Sequence, residues 1–184
     1  RAGAVVVPGS GPTDRDGNNP LGVAARPYRL LAEGLSAAGI ATLRSDKRGL
    51  FGSAAEGLDA DDVRVKDYVR DTLAWVAVAR QRTGADCAWL MGHSEGGVFA
   101  LLAARAEPDA VCGVILLAAP GRRLGEVLRE QLRANPANAA ILPDALAAID
   151  RLEAGDPVDT AGFHPSLAAL FRPGVQAYLI DLMR

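Results

Sequence analysis

Short apolar runs alternate with longer stretches of helical periodicity over residues 3–120. Each apolar run is followed by glycine, proline, aspartate or asparagine, residues that end regular structure. The runs predict four strands, at residues 4–7, 40–45, 87–91 and 111–117. Between them, apolar residues recur at spacings of three and four, as on the buried face of a helix. This alternation predicts an α/β fold with a parallel sheet and right-handed crossovers.

The stretches between the strands predict three helices. Gly39 is expected to close the first helix as a left-handed cap. The first helix has a buried stripe made of Tyr28, Leu31, Leu35 and Ala38. The second is expected to begin among Asp59, Asp61 and Asp62, because negative charge suits a helix N-terminus. Its predicted stripe is Val65, Val69, Leu73 and Val76. The third helix follows the glycine-rich residues 92–97.

No strand pattern follows Pro120, and residues 121–184 are predicted to be helical. Two leucine-rich stripes are expected on its first two helices. They consist of Leu124, Val127, Leu128 and Leu132, and of Leu142, Leu146, Ile149 and Leu152. Two shorter helical pieces are expected after His164-Pro165 and after Pro173-Gly174. The chain thus divides into a sheet-containing part, residues 1–120, and a helical part, residues 121–184.

Composition narrows the classes of partner. The 184 residues are 49% hydrophobic and carry 20 basic against 22 acidic side chains, so no basic field exists to hold nucleic acid. The apolar runs are shorter than the roughly 20 residues of a membrane span. A soluble protein is therefore expected, with the cytoplasm slightly favoured as its location. No nucleotide cofactor is expected, because the glycine turn lacks the G-x-G-x-x-G spacing.

Two cysteines and two histidines limit the possible metal and disulfide chemistry. Their positions lack the spacing of a metal site, so no metal is expected. Cys87 and Cys112 begin adjacent predicted strands and are interpreted as small buried hydrophobic residues. A bridge between them is the alternative if the compartment is oxidising.

Residues 92–96 read Gly-His-Ser-Glu-Gly, a G-x-S-x-G motif between a predicted strand and a predicted helix. This context predicts a sharp turn that holds Ser94 in a strained conformation at the sheet edge. Glycines are needed on either side because a Cβ there would collide with neighbouring chain. The helix N-terminus favours an oxyanion at the same place, and the backbone N–H of Glu95 is one expected donor. Ser94 is therefore the candidate nucleophile.

The chain resembles the α/β-hydrolase superfamily in this turn and in two further segments. Residues 8–12, Pro-Gly-Ser-Gly-Pro, lie where that family keeps its oxyanion loop, and residues 45–53 are similar to its Asp-x-Arg-Gly-x-Gly-x-Ser loop. Residues 9–18 are similar to a group of bacterial esterases and serine-aminopeptidase-like hydrolases. The resemblance implies that the N–H of Ser10 is the second oxyanion donor. It also implies the strand order second, first, third, fourth, and a cap formed by residues 121–184.

A serine hydrolase needs an imidazole base and a carboxylate to orient it. In the family these follow the serine on later strands, and no such strand is predicted here, so both are expected beyond residue 184. His93 is interpreted as a residue that packs or hydrogen-bonds beside the turn, because adjacent side chains on a tight turn diverge. His164 is interpreted as a capping or surface residue.

Charged residues in the loops are interpreted mainly as structural. Asp14, Arg15 and Asp16 are expected to hold their loop by hydrogen bonds and an ion pair rather than to contact substrate. Asp46 and Arg48 are interpreted in the same way. The side chain of Glu95 is expected at the pocket rim or in solvent.

Three hypotheses of function follow. The first is a serine hydrolase of carboxylic esters, acting on a small acyl ester through an acyl-enzyme on Ser94. The second is an amidase or peptidase of the same fold. The third is a noncatalytic α/β-hydrolase-like binding module, which the missing base and acid leave open. The residues do not indicate the acyl specificity or the oligomeric state.

Overall fold

The computed structural model describes residues 2–20 and 22–183. The chain divides into two compact units. The first contains the residues up to Ala60 together with Lys66–Ala119, and the second contains Asp61–Val65 together with the residues from Pro120 onward. Within the described ranges, no helix has both the length and the apolar character needed to cross a membrane.

Among the described residues, the first unit is built on four parallel strands. They are β1 (Ala4–Val7), β2 (Thr42–Arg44), β3 (Ala88–His93) and β4 (Val111–Leu117). Their order in the sheet is β2-β1-β3-β4, which confirms the predicted order. β1 and β4 have the predicted bounds, whereas β2 is shorter and β3 extends to His93. Val7 pairs with Gly92, and His93 pairs with Leu117, so three strands end close to the glycine turn.

In the part of the chain that the structure describes, three helices belong mainly to the first unit: α1 (Pro27–Ala37), α2 (Val65–Thr83) and α3 (Gly96–Ala106). Short 3-10 turns lie at Phe51–Ser53 and Pro108–Ala110. Gly39 follows α1 with φ +77°, as predicted for a left-handed cap.

The predicted start of α2 is wrong. The helix begins at Val65, and Asp61 forms an ion pair with Arg172 within the second unit, with 3.0 Å between Oδ2 and Nε. The carboxylate of Asp181 accepts the N–H of Val65. An acidic side chain therefore does bind the first turn of α2, but it comes from a residue far along the chain.

The apolar core of the first unit lies on both sides of the sheet strands and beneath the helices. On α1, Tyr28 packs with Ala4, Val6 and Met91. On α3, Phe99, Ala100 and Ala103 are fully buried. On α2 the buried residues are Thr72, Val76 and Ala79, so the predicted stripe is only partly right. Thr72 can be buried because its hydroxyl donates to the carbonyl of Tyr68.

The second unit contains the helices predicted after residue 120. They are α4 (Leu124–Ala134), α5 (Leu142–Ala154), α6 (Pro165–Leu170) and α7 (Pro173–Met183), with a 3-10 turn at Pro136–Asn138. Its buried core is formed by Ala145, Ala148, Ile149, Leu152, Leu167, Phe171 and Met183. Leu124, Leu128 and Leu132 pack against this core from α4. His164 caps α6 by accepting the N–H of Ser166, in line with its predicted capping role.

Cys87 and Cys112 form a disulfide, so the favoured interpretation as small buried hydrophobic residues is wrong and the alternative of a bridge is confirmed. Cys87 directly precedes β3. Ala88 pairs with Val111 and Trp89 pairs with Gly113, so Cys112 is an additional, unpaired-in-register residue of β4 at a bulge. Their Cα atoms lie 5.1 Å apart, within the range of natural disulfides. Both residues are half-buried. The bridge therefore fastens the strand that carries the glycine turn to its neighbour.

Candidate active site

Ser94 lies in the turn between the end of β3 at His93 and the start of α3 at Gly96. Its φ of +51° is in the left-handed region, which is unfavourable for a residue with a Cβ. Two hydrogen bonds hold it there. Its N–H donates to the carbonyl of Leu117 at 2.9 Å, and its own carbonyl accepts the N–H of Gly97 at 2.9 Å. The end of β4 and the first turn of α3 thus fix the half-buried serine from both sides.

The glycines around Ser94 are required by close backbone approach. A Cβ on Gly92 would lie 2.5 Å from the Cα of Gly97, and a Cβ on Gly96 would lie 2.3 Å from the carbonyl oxygen of Val7. Both distances are far below van der Waals contact, and the neighbouring atoms belong to backbone. The prediction that the turn needs glycine on either side of the serine is confirmed.

The loop after β1 lies against the same turn. A Cβ on Gly9 would lie only 3.3 Å from the Cβ of Ser94. Ser10, the next residue, is exposed. Glu95 is the N-cap of α3, where backbone N–H groups have no acceptor within the helix and the helix dipole is positive. The structure therefore brings Ser10, Ser94 and Glu95 to one edge of the sheet, and their roles stay predictions.

A hydrogen-bonded group consisting of Tyr28, His93 and Gly9 lies beside the turn. The Tyr28 hydroxyl is 2.8 Å from Nδ1 of His93 and accepts the N–H of Gly9 at 3.1 Å. Burial lowers the pKa of His93 below its ordinary value and raises that of Tyr28, although the Gly9 bond opposes the second shift. His93 thus hydrogen-bonds beside the turn, as predicted. Tyr28 was recognisable from the sequence only as a core residue.

The side chain of Glu95 is buried in an ion pair, so its predicted position at a pocket rim or in solvent is wrong. Lys47 and Glu95 are only 7% and 8% exposed, and the Lys47 Nζ lies 3.3 Å from the Glu95 Oε2. The ammonium also lies 5.3 Å from the centre of the Tyr68 ring, which stacks on Phe99. Burial lowers the pKa of Lys47, while the charge of Glu95 and their hydrogen bond act in the opposite direction. Sequence reasoning missed this contact, because Lys47 and Glu95 lie 48 positions apart.

Asp46 organises the loop after β2. Its carboxylate accepts the backbone N–H of Arg15 at 2.6 Å, the Arg15 Nε at 2.9 Å and the N–H of Gly52 at 3.0 Å. Burial raises the pKa of Asp46, but these bonds and the Arg15 charge outweigh it and leave the pKa below its ordinary value. Asp46 and Arg15 therefore hold two loops together, as the structural interpretation predicted.

The other charged loop residues also have structural partners. Asp14 accepts the N–H groups of Asp16 and Asn18, both at 2.8 Å. Arg48 is paired with Asp71 on α2, with 2.9 Å between Nε and Oδ2. These contacts agree with the interpretation that the charges stabilise the loops.

A cavity of about 280 Å³ lies within the first unit, between the carboxyl ends of β1 and β2 and helix α2. Pro8, Lys47, Tyr68, Trp75 and Phe99 are among its lining residues, whereas Ser94 is not. The cavity therefore adjoins the buried ion pair rather than the serine. In the part of the chain that the structure describes, no group of three or more His, Cys, Asp or Glu side chains is placed to hold a metal ion.

Comparison with known proteins places this geometry in a family. Residues 21–152 match the Hydrolase_4 family model, described as serine aminopeptidase, S33. Esterase EstD of Thermotoga maritima is 34% identical over 134 residues, which are 70% of this chain and 29% of EstD. The chain thus spans less than a third of the length of this curated relative.

Two solved structures have similar folds. One comes from work on LipS and LipT, two metagenome-derived lipolytic enzymes. It is 25% identical to this chain with a TM-score of 0.51, and the match covers 74% of this chain and 49% of that one. The other is the proline iminopeptidase-related protein of Thermus thermophilus, at 25% identity and a TM-score of 0.53, covering 80% of this chain and 48% of that one. Since the family match covers most of the chain, the protein belongs to the serine aminopeptidase S33 family of α/β-hydrolases.

Proposed function

We propose that Ser94 is the nucleophile of a serine hydrolase that cleaves small carboxylic esters. Its Oγ attacks the acyl carbon and loses its proton to a general base. The tetrahedral oxyanion accepts hydrogen bonds from the N–H groups of Ser10 and Glu95. The bond to the leaving oxygen then breaks, the alcohol departs with the proton from the base, and an acyl-enzyme remains. Water attacks this ester, releases the carboxylic acid and regenerates Ser94.

One observation carries the proposal: Ser94 has a strained φ of +51° at the point where the Gly9–Ser10 loop and the N-terminus of α3 meet. Backbone strain held by surrounding structure is typical of functional residues. The similarity to a protein named as an esterase supports an ester substrate.

The base and its orienting carboxylate are proposed to come from outside residues 1–184. His93 is a poor candidate because an Nδ1 that accepts the Tyr28 hydroxyl leaves the ring proton on Nε2, with no free lone pair for the serine proton. His164 serves as the N-cap of α6. The match with this chain covers only 29% of EstD, so a protein as long as EstD has room for both groups outside the matching part. The second unit is proposed to be the cap that the family resemblance implies.

The test is covalent labelling of the intact protein with a fluorophosphonate probe. We expect the label on Ser94 and its loss in Ser94→Ala. Ser36→Ala, which changes an exposed serine of α1, is the matched control and should be labelled like the wild type. A label that survives in Ser94→Ala would refute the nucleophile. A folded wild-type protein that takes no label would favour the noncatalytic binding module.

An amidase or peptidase activity is the second candidate, favoured by the aminopeptidase description of the matching family and by the iminopeptidase-related neighbour. Amide and ester cleavage would share the Ser94 nucleophile and the oxyanion donors. Comparing kcat/KM for p-nitrophenyl esters and aminoacyl p-nitroanilides separates the two. We expect the esters to be preferred, and a preference for the anilides would reverse the assignment.

A further inference from the structure

One hydroxyl group joins the two chain segments of the proposed site. The Tyr28 hydroxyl hydrogen-bonds Gly9, which precedes Ser10, and His93, which precedes Ser94. The first segment is the proposed oxyanion loop, and the second is the proposed nucleophile turn. The hydroxyl therefore contacts both segments one residue away from the groups that are proposed to act.

The direction of each hydrogen bond follows from the donors available. The Gly9 N–H can only donate, so the Tyr28 oxygen accepts it at 3.1 Å. The Tyr28 side chain is only 6% exposed, and its buried hydroxyl proton needs an acceptor. Nδ1 of His93, 2.8 Å away, supplies that acceptor when its lone pair is free. The lowered pKa of His93 agrees with a neutral ring.

Tyr28 is itself held firmly. Its ring packs in the apolar cluster with Ala4, Val6 and Met91 of the sheet. Its backbone N–H donates to the carbonyl of Asp16 at 3.0 Å. A side chain fixed by the sheet and by a loop can transmit that rigidity to the groups its hydroxyl binds.

We propose that Tyr28 is a positioning residue, whose hydroxyl sets the alignment of the Gly9–Ser10 loop against the His93–Ser94 turn. The inference rests on the proposed function. The two segments approach closely, since a Cβ on Gly9 would lie 2.9 Å from Nδ1 of His93. Packing limits how near they come, while the bonds through Tyr28 prevent them from separating or sliding.

Misalignment of an oxyanion donor reduces kcat more than it alters KM, because the oxyanion exists only in the transition state. Complete loss of one donor lowers kcat by roughly 10²- to 10³-fold. Removing the Tyr28 hydroxyl leaves the Ser10 N–H present but less well aligned. The expected decrease in kcat is therefore smaller, about tenfold.

The experiment compares Tyr28→Phe with wild type in the intact protein, and Tyr178→Phe in the second unit is the matched control. We expect Tyr28→Phe to lower kcat for p-nitrophenyl acetate about tenfold, with KM within about twofold. The rate of fluorophosphonate labelling at Ser94 should fall by a similar factor. Circular dichroism verifies that each variant is folded, and the control should have wild-type kinetics.

A second pair of variants covers the case in which Tyr28→Phe does not fold. His93→Leu removes the acceptor, whereas His93→Asn places an amide oxygen near the position of Nδ1. We expect His93→Asn to retain several times the kcat of His93→Leu, a rescue that a purely packing role would not give.

The outcomes separate the two proposals. If wild type is labelled at Ser94 and folded Tyr28→Phe keeps wild-type kcat and labelling rate, the positioning role is refuted and the proposed function stands. Equal kcat in His93→Leu and His93→Asn would refute it as well. If folded wild type is neither labelled nor active, the proposed function fails and the positioning role fails with it.

Discussion

Replacing Lys47 by methionine is expected to destabilise the first unit by about 3 kcal/mol. The substitution preserves most of the side-chain volume but leaves the Glu95 carboxylate buried without its partner. The side chains of Lys47 and Glu95 are 5% and 10% exposed, so water cannot readily replace the lost ammonium.

The magnitude follows from the geometry. At a separation of 3.3 Å and an effective dielectric constant of about 20, the attraction between the charges is about 5 kcal/mol. Breaking a buried pair from one side typically costs about 3–5 kcal/mol. We take the lower end of that range, because the cavity of about 280 Å³ beside Lys47 leaves the methionine room to relax.

The loss of stability is measured by urea unfolding, monitored through tryptophan fluorescence. Both tryptophans, Trp75 and Trp89, belong to the first unit, so the signal reports on that unit. If the free energy of unfolding falls by about 2 kcal/mol per M urea, the urea concentration at the unfolding midpoint should decrease by about 1.5 M. The control is Arg29→Met, which breaks the exposed pair with Glu33 and should leave the midpoint unchanged.

The double variant Lys47→Met/Glu95→Gln tests the reasoning. Since neither charge remains, the free energy of unfolding should fall by only about 1–2 kcal/mol relative to wild type, less than in Lys47→Met alone. A double variant less stable than Lys47→Met, or a single loss below about 1 kcal/mol, would show that the pair is not an effectively buried ion pair.

Three further predictions concern stability. Because burial lowers the pKa of His93 below 6.5, the free energy of unfolding should decline as the pH falls below 6.5 and through the lower folded pKa. The decline is at most about 1.4 kcal/mol per pH unit. His93→Gln should flatten this part of a plot of the free energy of unfolding against pH. Gly96→Ala should lower the free energy of unfolding by about 2–3 kcal/mol because its Cβ would meet backbone oxygen at 2.3 Å, whereas Gly34→Ala, on an open helix surface, should raise it by up to about 1 kcal/mol. Reducing the Cys87–Cys112 bridge, which closes a loop of 25 residues, should lower the free energy of unfolding by about 3 kcal/mol, as measured by urea unfolding with and without reductant.

The strands and most helices could be predicted because their signals are local. β1 is a continuous apolar run, as a buried parallel strand requires, and β4 is a largely apolar run at the sheet edge; the predicted bounds of both agree with the observed ones. The start of α2 could not be predicted in the same way, because acidic residues mark a helix N-terminus only statistically. Here the relevant carboxylate belongs to Asp181, 116 residues from Val65.

The parts of the candidate site that form contiguous sequence motifs could be predicted. The Ser94 turn is one, and the position of the Gly9–Ser10 loop followed from family resemblance. The contacts of Lys47 with Glu95 and of Tyr28 with His93 join residues 48 and 65 positions apart. Their partners depend on how the strands are ordered and how α1 and α2 pack, which single-sequence patterns do not specify. The sequence could offer the Cys87–Cys112 disulfide only as an alternative, because choosing it depends on the redox compartment, which the sequence does not specify.

The left-handed backbone of Ser94 also has a consequence for protein engineering. A non-glycine residue in this conformation costs about 1–2 kcal/mol, and glycine would relieve that cost. Arg26, Phe51 and Ala118 have the same kind of backbone conformation, so selection for heat resistance alone is expected to favour glycine at all four positions. Only at position 94 would that glycine remove the proposed nucleophile. Any library built on this chain should keep position 94 invariant, or couple selection for stability to a screen for acyl transfer.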